Sequence, residues 1–188
     1  TIGSSGQPID VTLNSNLQGV AAGGGNITLT STTIASNNGN ITLAGDPSGT
    51  GFASNKAGSG IVLDASTIDA GSGAITLRGE GGGAANSSGV ALINGSVVTS
   101  SGAMNVTGKS ISGGDQAIGV LVTGANSKIE NSGNGAMNIT GAGSSALSAT
   151  NAIGISIASS ASVLGKDGAT SLIGSGGTNS AGVQIDDA

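Results

Sequence analysis

Short runs in which Ile, Leu, Val or Met alternates with Thr, Asn or Ser recur along most of the chain. A period of two puts the aliphatics on one face of a β-strand and the polar residues on the other. The first such phrase reads Asn26-Ile27-Thr28-Leu29, Asn40-Ile41-Thr42-Leu43, Ala74-Ile75-Thr76-Leu77, Ala103-Met104-Asn105-Val106 and Ala136-Met137-Asn138-Ile139, with a decayed copy at Ala169-Thr170-Ser171-Leu172. In all but the copy at 26–29, a glycine stands two residues after the last aliphatic: Gly45, Gly79, Gly108, Gly141 and Gly174. A second phrase, opening on glycine, alternates with the first: Gly60-Ile61-Val62-Leu63, Gly89-Val90-Ala91-Leu92, Gly119-Val120-Leu121-Val122, Gly154-Ile155-Ser156-Ile157 and Gly182-Val183-Gln184-Ile185. Ser66-Thr67-Ile68, Ser96-Val97-Val98, Ser127-Lys128-Ile129 and Ser162-Val163-Leu164 follow the second phrase at a nearly constant distance and mark a third short strand. Residues 27–39 can also be laid on 61–73 without a gap.

The unit is therefore about 30 to 35 residues long, a period at which solenoids repeat. Links between strands vary from a few residues to roughly a dozen, as between Gly79 and Ser88 or Gly141 and Asn151, and stacked coils tolerate this because a loop protrudes sideways. No apolar stripe of helical period is present, and Gly and Ser interrupt the chain too often for a long helix. The expected fold is all-β: a right-handed parallel β-helix (solenoid) of about five to six repeat units, occupying residues 1–188 as a single segment. Stacking in register would bury Ile27, Ile41, Ile61, Ile75, Val90, Met104, Val120, Met137 and Ile155 in interior columns. A β-sandwich can also be made from short strands, but it does not demand such a repeat.

Composition narrows the core and the chemistry. Of 188 residues 37 are glycine; Cys, His, Trp and Tyr are absent and Phe52 is the single aromatic, so the core is aliphatic. With 36% hydrophobic and 8% charged residues, the chain has neither the strong charge nor the lack of β-branched residues of a disordered one. The net charge is -5, and the five bases, Lys56, Arg78, Lys109, Lys128 and Lys166, are scattered as solvated surface residues. Nucleic acid is not an expected partner, since phosphate neutralisation needs clustered cations. No run approaches the length of a membrane helix, so no membrane insertion is expected, and Thr1-Ile2-Gly3-Ser4-Ser5 lacks the regions of a signal peptide.

Enzymatic readings find little to work with. Without His or Cys, no Ser- or Cys-based nucleophile scheme can be completed. Asp64 and Asp69 flank a short strand, and Asp186 and Asp187 adjoin; these are the only carboxylate pairs offered for polysaccharide cleavage, and solvated turn acids describe them better. No catalytic, cofactor-binding or metal-binding residue is assigned. Asp46, in Gly45-Asp46-Pro47-Ser48-Gly49, and Asp115, after Gly113-Gly114, are the best Ca²⁺ candidates, with ordinary turn chemistry preferred. The glycines at 79–83 carry no phosphate-loop signature. Thr28, Thr42, Thr76, Asn105, Asn138 and Ser171 would form an outward polar ladder, with Arg78 interrupting the neighbouring column begun by Thr30. Asn26, Asn40, Asn86, Asn94, Asn105 and Asn138 head Asn-x-Ser/Thr triplets that could carry glycans.

The Gly-Asn-Ile-Thr-Leu phrases at 25–29 and 39–43, Ser-Gly-Ala-Ile-Thr-Leu at 72–77 and the link Ser66 to Ala70 resemble the repeats of filamentous haemagglutinin-like exoproteins exported by two-partner secretion. The resemblance covers nearly the whole chain, although the N-terminal secretion domain of that family and a polar capping coil are not found. It implies a right-handed parallel β-helix shaft, an extracellular or cell-surface location on a Gram-negative bacterium, and a structural or adhesive role without enzymatic activity. The expected partners are further copies stacked end to end through coil edges, and glycans or proteins of host or neighbouring cells. A segment of a larger protein or a stacking fibre unit would fit equally. A polysaccharide-active β-helix enzyme and an ice-binding β-solenoid are the alternatives.

Overall fold

The computed structural model describes residues 1–4, 6–15, 25–111, 113, 115–146 and 149–187. Within them the chain is a β-solenoid of about five turns, with three parallel sheets wound in constant order. Sheet 1 contains β3 (Ile27–Thr30), β7 (Ile61–Asp64), β10 (Ser88–Ile93), β13 (Ile118–Thr123), β16 (Ile155–Ala158) and β19 (Val183–Asp186). Sheet 2 contains β1 (Ile2–Gly3), β4 (Thr33–Ala35), β8 (Thr67–Asp69), β11 (Val97–Ser100), β14 (Lys128–Asn131) and β17 (Ser162–Gly165). Sheet 3 contains β2 (Val11–Asn14), β5 (Ile41–Ala44), β9 (Ile75–Gly81), β12 (Met104–Ser110), β15 (Met137–Ala142) and β18 (Thr170–Ser175); β6 (Ala53–Ser54) adds to the far half of β9. No helix among the described residues is long and apolar enough to cross a membrane.

Register turns alternation into columns. Ile27, Ile61, Val90, Val120, Ile155 and Val183 stack along sheet 1, and Ile34, Ile68, Val98, Ile129 and Val163 along sheet 2. Ile41, Ile75, Met104 and Met137 continue the pattern in sheet 3. From Ile34 to Ile129 these side chains are fully enclosed. Every interior residue proposed from the alternation is buried, each contributing about 1.5–3 kcal/mol relative to exposure.

One phrase sits on a different sheet from its namesakes. The phrase at 26–29 belongs to β3, whose Ile27–Thr30 pairs with 61–64 in sheet 1, the alignment in which 27–39 lies on 61–73, whereas Val11–Asn14 is the sheet 3 partner of Ile41–Ala44. The missing glycine was the signal. Strands of sheet 3 from β9 onward run on through an inward glycine, while Leu29 is followed by the corner Ser31-Thr32, equivalent to Ala65-Ser66. The last third-strand phrase also shifts by one residue: Ser162 stands beside Lys128, leaving Ala161 in the place of Ser127.

The glycines have a structural cause. A Cβ on Gly79 would lie 2.0 Å from the Gly89 carbonyl oxygen, on Gly108 2.0 Å from that of Gly119, and on Gly141 2.0 Å from that of Gly154. The first phrase's glycine and the second phrase's glycine therefore face each other, one pair per coil, where sheets 3 and 1 close together backbone to backbone.

Two other corners are closed by buried serine hydroxyls and the Asn131 amide. The Ser66 hydroxyl accepts from the Thr32 N–H at 3.0 Å, the Ser96 hydroxyl from the Ser66 N–H at 3.0 Å, and the Ser127 hydroxyl from the Gly95 N–H at 2.9 Å. On the other side of sheet 2, buried Ser100 donates to the Gly73 carbonyl at 2.6 Å and buried Asn131 to the Gly102 carbonyl at 2.7 Å. The side loops keep register too. Asn86, Gln116, Asn151 and Asn179 all take left-handed backbone just before sheet 1, and the Asn86 N–H bonds the Asp115 carbonyl at 2.9 Å while the Gln116 N–H bonds that of Thr150 at 3.0 Å.

Candidate functional site

Asp64 ends a sheet 1 strand and Asp69 a sheet 2 strand, so the carboxylates project from different faces of one coil. Asp64 accepts from the Asn94 amide at 2.8 Å and Asp69 from the Gly71 N–H at 2.8 Å, so each carboxylate is engaged by a neighbouring turn. Asp186 is held by the Gln184 amide, and the Asp187 backbone takes a left-handed turn.

Of the two calcium candidates, Asp46 is engaged within its own turn and Asp115 by the loop of the next coil. One Asp46 oxygen accepts from the Ser48 hydroxyl at 2.8 Å and the Thr50 N–H at 3.0 Å, and the other from the Gly51 N–H at 2.7 Å and the Thr50 hydroxyl at 3.1 Å. The Ser48 hydroxyl is the largest influence holding this carboxyl below its ordinary value; partial desolvation opposes it, and the Thr50 and Gly51 donors add to it. The Asp115 carboxylate receives the Thr150 hydroxyl of the next loop, and Gly114 beside it lies outside the described residues. Among the described residues no three carboxylates gather in a metal-holding cluster.

The outward ladder exists with one replacement. On sheet 3 it runs Thr12, Thr42, Thr76, Asn105, Asn138 and Ser171, the Asn138 amide reaching Asn105 at 3.3 Å. Thr28 instead faces out from sheet 1, beside Val62. Thr30 leaves with it, so the column around Arg78 reads Arg78, Thr107, Thr140 and Ile173. The six Asn-x-Ser/Thr asparagines all have exposed positions in the fold or its loops, and Asn40 also accepts from the Ala74 N–H at 2.9 Å.

Two bases that sequence separates meet on this face, correcting the picture of five scattered cations. Ala53 pairs with Gly79, so Phe52 arrives beside Arg78. The Arg78 guanidinium carbon and the Lys109 ammonium each lie 4.4 Å from the centre of the Phe52 ring. Lys109 also pairs with Glu80 at 2.5 Å, directly across the strand pair. Sequence reasoning missed the cluster because its members come from three separate stretches; the signals available were the lone aromatic and the common register of Glu80 and Lys109. On sheet 1 a shallow open groove lies over Leu121, Ile118 and Ile153, rimmed by Gln116, Asn151 and Gln184.

Comparison with family models, curated proteins and solved structures returned no match. The geometry defines the class of the protein, a parallel β-solenoid, whose described outer surface carries polar ladders, engaged carboxylates and the Phe52 cluster.

Proposed function

We propose that the chain is a structural and adhesive segment of a bacterial secreted or cell-surface exoprotein of the filamentous haemagglutinin kind, serving as shaft and extending by coil-on-coil stacking. The observation that carries this proposal is the in-register repetition of the coils. Ile27, Ile61, Val90, Val120 and Ile155 form one buried aliphatic column along sheet 1, each coil repeating the pairing of the one before. Parallel coils that present the same aliphatic columns and the same backbone pairing to one another are templates for further coils of the same kind. Adhesion is supported by the family resemblance of the repeated phrases, and exposed loops and polar ladders offer the surface for it.

Sedimentation velocity and electron microscopy over a concentration series test the stacking. Elongated particles that lengthen with concentration, and that shorten on Ile185→Lys, are expected. Compact particles of one size at all concentrations, unaffected by Ile185→Lys, would refute it.

A further inference from the structure

Arg78 is a cation without an acid. Its Nε is shut away from solvent with no hydrogen-bond partner, and no carboxylate among the described residues pairs with the guanidinium. The closed-off Nε leaves the outer guanidinium nitrogens as the donors that can meet an anion. Its guanidinium lies against the Phe52 ring, which also carries the Lys109 ammonium, whose own charge is shared with Glu80. Two cations and one acid leave a local positive charge on a chain of net charge -5.

We propose that Arg78, Lys109 and Thr107 form a binding site for the carboxylate of an acidic polysaccharide, a uronate chain. Arg78 supplies the fork that matches a planar carboxylate, Lys109 a second charge, and Thr107, beside Arg78 in register, a hydroxyl. Phe52 positions both cations; it is not a sugar platform. The flanking surface favours sugar over peptide. Thr76, Asn105, Asn138 and Thr140 present hydroxyls and amides that suit sugar hydroxyls. Both edges of β9 and β12 are already paired, leaving no strand edge on which an acidic peptide could add. The site deepens the adhesive reading and rests on it.

Calorimetric titration with polygalacturonate, against neutral dextran and polyglutamate, tests the site in the intact chain. Binding to polygalacturonate that weakens with salt, that falls about 10-fold or more on Arg78→Gln and that is only partly restored by Arg78→Lys is expected. Lys109→Gln should weaken binding less, and unchanged circular dichroism and melting of each variant would show an intact fold. No binding by the wild type, or equal binding by folded Arg78→Gln, overturns the site; equal affinity for polyglutamate overturns the choice of sugar. Sedimentation of the same samples separates the two proposals: particles that still stack but ignore polygalacturonate remove the site alone, and compact particles that bind it through Arg78 remove the shaft alone.

Discussion

Ala65 carries the left-handed backbone of a solenoid corner at φ 47°, a conformation that its equivalents Ser31 and Asn94 also adopt, at φ 48° and 54°. Its side chain is exposed, so the methyl adds local crowding and nothing else. Ala65→Gly should raise stability by about 1 kcal/mol, the relief of left-handed strain exceeding the extra entropy of an unfolded glycine, and denaturant melts would register it. Asp46 gives a prediction of opposite kind. Its carboxyl is lowered from 3.8 by loop donors, so the loop's stabilisation is complete above the unfolded value and is lost as pH falls through the still lower folded value. In an NMR titration, the Thr50 and Gly51 amide shifts should move with a midpoint below 3.8, and in Asp46→Asn they should not titrate.

Each strand owes its position to a partner about one coil away, so element-scale tests fall on the corners. Gly108→Ala sets a Cβ 2.0 Å from the Gly119 carbonyl, and neither backbone can yield without parting sheets 3 and 1. A loss of about 3 kcal/mol is expected from chemical denaturation, with wild-type behaviour arguing against the back-to-back glycines. Ser96→Ala strips the buried Ser66 N–H of its acceptor and should cost about 1–3 kcal/mol. Much of this level could be read in the chain. Alternation identified most of the strands and their inward residues, but not β1, β2 or β6, and the glycine pattern contained the clue that moved 26–29 to sheet 1. The reason for the glycines was not readable, because Gly79 and Gly89 meet across two sheets.

For the whole molecule, stacking makes stability a sum over neighbouring coils, with the middle ones supported on two sides. Cover over the inward aliphatics thins toward the last coil, where Val163 and Leu172 are only partly buried and Ile185 is 61% exposed. Hydrogen exchange should therefore be slowest in β10, β12 and β13 and faster in β17, β18 and β19, and uniform protection would contradict a stepwise stack. The Phe52 cluster belongs to this scale. Coil register alone brings Phe52, Arg78 and Lys109 together, so nothing in any one repeat announced it.

Short-range patterning determined what this sequence could settle by itself: the period, the strands, the aliphatic core and the lack of His- or Cys-based chemistry. These follow from residue type and spacing along a few positions. The tertiary structure decided which sheet receives each phrase, why glycines face one another, which donors occupy Asp46, and where two cations share one ring. Those outcomes depend on contacts between residues about one coil apart or on the path of a loop, and only the stacking of coils defines them.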